Sequence, residues 1–430
     1  MEAPSTTTGS NTSRLVIRAA ALLAVAFYVL TAHLTKGHEA DFGKQWLAAR
    51  LVATGQGSSL FNLDVQRAEL EKYYTAEVID HGIWRDGIGG PTYPPTFAVI
   101  FAPLGWLSPQ TAQWVVVQLS VLLVVIAARV VSRMTGGRIT AEAGTLAILC
   151  FPSFFLAVGV GQNSALSLAI FVGGFALLTG RHDFLAGAVW GLFAIKPTWG
   201  FAVAWIPAVV ARPRAYVGMA VSAVALVVLT LPLCGSESWF DWLAVARQTE
   251  YYYQILPRWT ALSRDLPGLL RRVGNGSWVE LAGWTAIVLV ILATTRIWWN
   301  GGQSRDGAFE MTGPHAVALL SAAVLSCPRF MFYDMTLGVV PFLVALAGWR
   351  ELRSGGRWVL ASLIGLLWIG TGFSYVRSSM LGIPLDIFAL VLLWLWAVAQ
   401  AHARATSQHS SVLAASPSVG SASEWIAKPA

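Results

Sequence analysis

Apolar residues run through this chain in long stretches rather than in the alternating or three-to-four-residue patterns of a soluble core. A helix needs roughly 20 apolar residues to cross a bilayer. Residues 15–34, 113–131, 141–158, 164–179, 215–234, 278–298, 314–327, 331–348, 358–375 and 381–400 read as membrane helices, because backbone polar groups in lipid must pair within their own segment. Two stretches do not suit a single crossing. Residues 98–107 are too short and read as a re-entrant or interfacial helix. Residues 184–210 are interrupted at Lys196-Pro197 and read as two half-helices that meet there and return to the same side. The prediction is an all-α, polytopic integral membrane protein of about 10–12 membrane helices.

Basic residues assign the sides. Arg14 and Arg18 precede the first span with no A-x-A cleavage site, so the span reads as a retained anchor with its N-terminus inside. The same bookkeeping puts Arg129, Arg133, Arg138, Arg181, Arg212, Arg214, Arg296, Arg305, Arg350, Arg353 and Arg357 in the cytoplasm. Residues 1–13 then form a cytoplasmic tail, 14–402 one membrane domain, and 403–430 a disordered Ser/Ala-rich cytoplasmic tail. Two polar loops face outward, 35–93 and 235–277. In the first, Trp46, Leu47, Ala49, Leu51 and Val52 follow Asp41 at helical spacing until Gly55 and Gly57. They predict an amphipathic helix lying along the outer membrane surface. A second helix is expected from Asn62 or Asp64 to about Tyr74, then an irregular stretch with Gly82, Gly87, Gly89 and Gly90. The second loop holds Trp239, Trp242, Tyr251-Tyr252-Tyr253, Arg258, Trp259, Arg264, Arg271 and Arg272.

Composition agrees. Hydrophobic residues make up 56% of the 430 and charged ones 12%, against about 25% charged in soluble domains. The net charge of +7 reflects the positive-inside bias and not nucleic-acid binding. The 20 Trp are interfacial anchors, some with the option of stacking on a sugar. Cys150, Cys234 and Cys327 have neither metal-site spacing nor a disulfide framework. No internal repeat is visible.

Polar side chains near spans are costly and are candidate functional groups. Asp41, Gln162, Asn163, Lys196, Arg329 and Asp334 all fall toward the outer side, from distant parts of the sequence. Each has a plainer reading. Asp41 suits a helix N-cap, and Gln162-Asn163 the cap of residues 164–179. Lys196 suits a snorkelling cation. Arg329 and Asp334 suit an ion pair. Tyr93-Pro94-Pro95 suits a rigid helix entry. His38 suits either a surface residue or a proton partner of the nearby acid.

Several short motifs, in order, resemble the family-87 glycosyltransferases of the GT-C superfamily. They are Asp41-Phe42 after the first span, Leu60-Phe61, Tyr93-Pro94-Pro95-Thr96-Phe97 with Ala102-Pro103-Leu104, Gly161-Gln162-Asn163, Gly187 with Lys196-Pro197, and Tyr333-Asp334. The resemblance spans most of the chain. It implies a GT-C-like bundle whose loop 35–93 is catalytic, acting on a polyprenyl-phosphate sugar, typically mannose. It also implies inverting transfer to a lipid- or envelope-linked glycan outside the plasma membrane, with Asp41 as general base. Such a base must come within about 3 Å of the acceptor hydroxyl. The leaving lipid phosphate calls for cations, for which Lys196 and Arg329 are the candidates. His38, Tyr93, Gln162, Asn163, Tyr333 and Asp334 are the candidate substrate contacts. No Asp-x-Asp motif with a soluble domain is present, so neither a metal nor a cofactor is expected. The competing reading is a transporter or flippase, for which Lys196-Pro197 suits a broken helix equally well.

Overall fold

The computed structural model describes residues 8–84, 91–274, 276–301, 311–376 and 384–415. Among them every regular element is helical, and extended backbone pairs only in an isolated bridge between Ser263 and Met331. The first helix, α1 (Thr8–Thr31), begins within the expected tail and tightens into a 3-10 turn through Leu34. An elbow with a 3-10 turn at Gly37–Glu39 leads to α2 (Asp41–Ala53). This helix does not have the single buried face expected of an amphipathic helix. Phe42, Gln45, Trp46, Leu47, Ala48, Ala49, Leu51 and Val52 are all buried, so both its faces are covered. The cover is α5 (Pro95–Phe101) and its 3-10 extension Ala102–Trp106, packed so closely that a Cβ on Gly105 would lie 2.5 Å from the Ala49 carbonyl oxygen. Between α2 and α5 come α3 (Leu63–Leu70), capped by the Asn62 side chain, and the single turn α4 (Ala76–Val78). α3 ends short of the expected Tyr74. The glycine-rich positions 87, 89 and 90 lie outside the described residues.

The long hydrophobic stretches form helices where the sequence places them. α6 (Pro109–Met134) starts on a Ser108 cap. The stretch 141–158 is two helices, α7 (Ala141–Leu149) and α8 (Pro152–Val160), bent by 60° ahead of Pro152, which cannot donate into the preceding turn. α9 is Ser164–Thr179. Then α10 (Asp183–Gly191) runs through a 3-10 turn to Ile195, the chain breaks at Lys196, and α11 (Pro197–Ala204) and α12 (Ile206–Val209) follow. Arg212, beyond α12, lies 3.7 Å from Asp183 at the start of α10. The segment therefore re-emerges at the end where it entered, as a hairpin of half-helices must. α13 (Arg214–Cys234) packs against α10 through glycines. A Cβ on Gly187 would lie 1.8 Å from the Ala215 carbonyl oxygen, and one on Gly218 2.0 Å from that of Phe184.

The second polar loop is helical: α14 (Glu237–Ile255), α15 (Pro257–Leu262) and α16 (Leu266–Leu270). α17 (Ser277–Gly301) precedes α18 (Gly313–Leu325), which is buried from Ala316 to Leu325 and forms the centre of the bundle. A 3-10 turn at Phe332–Gly338 leads into α19 (Val339–Ala347), and α20 (Ser354–Val376) pairs with α21 (Leu385–Ala415). α21 stays helical through residues 403–415, which were expected to be disordered; 416–430 lie outside the described residues. Among the described residues, five helices are long and apolar enough to cross a membrane, the bent pair α7–α8 is a sixth candidate, and five shorter apolar helical segments accompany them. Exposed Leu22, Leu23, Val217, Val221, Val224, Leu289 and Leu292 on α1, α13 and α17 suit lipid contact. The protein is an all-α polytopic membrane protein.

The two ends of the bundle differ. One end gathers basic residues tied to acidic ones: Arg18 with Glu142 at 3.0 Å, Arg138 and Arg404 with Glu351, and Arg212 with Asp183. At the other end the α1–α2 elbow, the end of α8 and the start of α9 meet the loops around residues 93, 250–265 and 328–334.

Candidate active site

The elbow is built by close backbone contact. Gly161 ends α8 in the left-handed conformation (φ +74°), which glycine alone adopts without cost. A Cβ there would come 2.3 Å from the Phe42 Cβ, and a Cβ on Gly37 would come 2.7 Å from the Gly161 nitrogen. The end of α8 is thus pressed into the start of α2. Gln45 donates to the Gly161 carbonyl at 3.2 Å, and Gln162 Nε2 donates to Asp41 Oδ2 at 2.8 Å. Tyr93 donates to Gln162 Oε1 at 2.8 Å. Its ring stacks on Phe97 at 4.6 Å, and Phe97 on Phe101 at 4.2 Å, so the Pro94-Pro95 entry aims the phenol at the elbow. Asp41 is not the cap of α2. Ala40 holds that position, and Asp41 is the first helical residue, where the helix dipole favours its negative charge.

Asp41, Tyr93, Gln162 and Tyr333 line one open cavity of about 340 Å³. The remaining polar wall was not singled out from the sequence: Lys44, one turn along α2, and Tyr253, Arg258 and Trp259 from α14 and α15. The usable signal was an aromatic and basic cluster in an outer loop, the residue types that pack on sugar rings and pair with phosphate.

The other candidates are placed differently. Lys196 and Asp334 form a buried ion pair, Nζ to Oδ1 at 2.5 Å, with the residues 8% and 1% exposed. The ammonium sits 5.9 Å from the Tyr93 ring centre and 5.6 Å from that of Tyr333, behind the rings that line the cavity. Arg329 does not pair with Asp334. It meets Glu250 (Nε to Oε2 at 2.8 Å), Glu280 at 3.1 Å and Asp265 at 3.5 Å. Neither cation lines the cavity, and each is neutralised by neighbouring carboxylates. Both were expected to present charge to a phosphate; in this arrangement each faces the carboxylates it is paired with. His38 is likewise not a cavity residue. Its ring stacks on Tyr74 at 6.1 Å and its backbone carbonyl accepts the Tyr74 hydroxyl at 2.9 Å. Burial pulls its imidazole below the ordinary value against the opposing charge of Glu39. Asn163 occupies the N-cap position of α9 without a capping bond, and its buried amide is directed near the Tyr93 hydroxyl without a hydrogen bond of good geometry among the described residues; it too lies off the cavity.

The second polar loop is held by a cluster of four guanidiniums, Arg264, Arg271, Arg272 and Arg329, against four carboxylates, Glu250, Asp265, Glu280 and Asp386. At its centre Arg264 Nε donates to Asp386 Oδ2 at 2.8 Å, with the two side chains 1% and 0% exposed. The same guanidinium donates to the Ala261 and Ser263 carbonyls. This ties the segment carrying Arg258 and Trp259 to the start of α21. Removing one partner of such a pair strands a buried charge, at a cost of about 3–5 kcal/mol. Asp386→Asn is expected to lower the melting temperature in detergent by several degrees. An unchanged melting curve would show that the pair does not hold the loop.

Glu250 supplies a pH dependence. Burial pushes its carboxyl up, but the Arg329 guanidinium outweighs that and holds it below its ordinary value of 4.5. A carboxyl lowered in the folded state stabilises the fold above its unfolded value, and this is lost as pH falls through the folded value. Glu250→Gln is therefore expected to flatten the drop in melting temperature on acidification below about pH 4.5, measured against the wild type.

Residues 92–328, just over half of the chain, match the family model described as glycosyltransferase family 87. The match takes in Tyr93, Gln162 and Lys196 but not Asp41 or Tyr333, so it is shorter than the resemblance read from the motifs. No similar curated protein and no similar solved structure is found.

Proposed function

Since the chain belongs to glycosyltransferase family 87 and is a membrane glycosyltransferase, we propose that it moves a hexosyl group, mannosyl in the leading reading, from a polyprenyl-phosphate sugar to a lipid- or envelope-linked glycan. Family membership displaces the transporter reading. The observation that carries the proposal is one cavity with Asp41 oriented on one side and Lys44 and Arg258 in the same wall. A sugar hydroxyl is a weak nucleophile and gains strength by losing its proton as it attacks. Asp41 takes that proton. The acceptor oxygen bonds to the anomeric carbon, the bond from that carbon to the phosphate oxygen breaks, and the anomeric configuration inverts. The lipid phosphate leaves as a stable anion and needs no acid. Lys44 and Arg258 stabilise its charge, replacing Lys196 and Arg329 in that role. Tyr253, Trp259 and Tyr333 offer ring faces to the sugar. The Lys196–Asp334 pair fixes the Tyr93 and Tyr333 rings from behind.

The positive-inside rule turns the arginine-rich end to the cytoplasm and the cavity outward, in the plasma membrane, within a membrane domain of residues 14–402. The test is a transfer assay on the full chain in detergent or nanodiscs with an extracted glycolipid acceptor. Polyprenyl-phosphate mannose is expected to support turnover with release of polyprenyl phosphate, and nucleotide-mannose to support none. Turnover from the nucleotide sugar alone would overturn the donor assignment.

A further inference from the structure

We infer that Tyr93 and Gln162 are positioning residues that act through Asp41, rather than contacts to substrate; this rests on the glycosyl-transfer reading of the cavity. An ionised carboxylate only accepts hydrogen bonds. The Gln162 amide must therefore turn its N–H to Asp41 Oδ2, at 2.8 Å. That leaves Oε1 facing Tyr93, so the phenol must donate, also at 2.8 Å. Every donor in the chain points toward Asp41, and such chains polarise one another cooperatively.

The anchors are rigid. Gln162 is 7% exposed and follows Gly161, whose backbone is wedged between Gly37 and Phe42. Gln45 makes a second bond from α2 to the same turn. The Tyr93 ring is held by Phe97 on one contact and the Lys196 ammonium on another. Without the phenolic hydroxyl the Gln162 amide loses the partner that fixes its orientation. It can then turn its oxygen toward Asp41, an approach that repels the charged base. The amide and phenol thus keep the carboxylate aimed at the acceptor.

The test is a double-mutant cycle on transfer by the full-length protein from polyprenyl-phosphate mannose. Tyr93→Phe keeps the ring and its stacking. It is expected to lower kcat about tenfold with donor KM unchanged, and Gln162→Met to lower kcat at least as much. The double variant is expected to match Gln162→Met alone, since the hydrogen bonds from Tyr93 to Asp41 run through the amide. In an Asp41→Asn background neither change is expected to alter the residual rate. Additive losses, or a rise in KM in place of a fall in kcat, would overturn the relay and make these residues substrate contacts. Should Gln162→Met not fold, Tyr93→Phe decides by the same split between kcat and KM. A wild type that transfers no sugar from any polyprenyl-phosphate donor sinks the reading of the cavity and the relay with it. An active wild type with additive losses sinks the relay alone.

Discussion

Asp41→Asn is expected to transfer sugar at least about 100-fold more slowly than the wild type, the low end of what a general base supplies. The substitution keeps the size of the side chain and its place at the start of α2, where Gln162 and Tyr93 reach it in sequence. It removes the ability to take a proton. Donor affinity is expected to hold, because the cations that line the cavity with Asp41 are Lys44 and Arg258 and the variant leaves both in place. Melting temperature is expected to change little, since Asp41 caps nothing and forms no ion pair among those seen at this end of the bundle. Single-turnover transfer and donor binding measured on one preparation separate these effects. Turnover equal to wild type would remove Asp41 from the chemistry. Loss of donor binding with kcat intact would make it a binding residue.

Much of the fold was legible because lipid leaves the chain few options. α9 occupies residues 164–179 as read from the sequence, and α13 misses its expected start by one residue, since an apolar run in a bilayer must be helical and ends where polar residues resume. The break at Lys196-Pro197 was legible from proline chemistry together with the charges flanking it. The covering of α2 was not legible. Its apolar residues read as one stripe, and nothing local shows that α5 and the turn at Gly105 close over the other side.

Pairing was harder still. Arg329 and Asp334 are close in sequence and look like partners. Asp334 instead meets Lys196 across 138 positions, and Arg329 is held by Glu250 and Glu280 from two helices, α14 and α17, whose approach only the tertiary fold sets. Charge bookkeeping placed Asp41 and Gln162 toward one side of the membrane, and the structure brings them together with Tyr93. Their contact depends on Gly161 and Phe42 meeting, which a sequence motif records only as a glycine.

The cations that line the cavity make the second large prediction. Arg258→Gln is expected to lower kcat by about 100-fold with little change in melting temperature, the scale lost when one preorganised charge facing a developing anion is removed. Arg258 is exposed and lines the cavity, whereas Arg264 is buried in its pair with Asp386. Lys44→Met is expected to act in the same direction but less, because an ammonium is a point charge on a flexible stem, whereas a guanidinium can grip two phosphate oxygens together. Arg329→Gln should behave in the opposite way. It takes from Glu250 its guanidinium partner and leaves Asp265 and Glu280 to Arg271 alone, and destabilises the fold by about 2 kcal/mol. That is below the full cost of a buried pair, because Glu250 keeps part of its hydration. Any lost activity in that variant should return when the protein is assayed well below its melting temperature. The comparison turns on which arginine moves which observable. If Arg329→Gln instead slows transfer by two orders of magnitude at unchanged stability while Arg258→Gln is silent, the phosphate is bound on the side of the cluster around residues 250–280, and the assignment of the cavity wall at Lys44 and Arg258 fails.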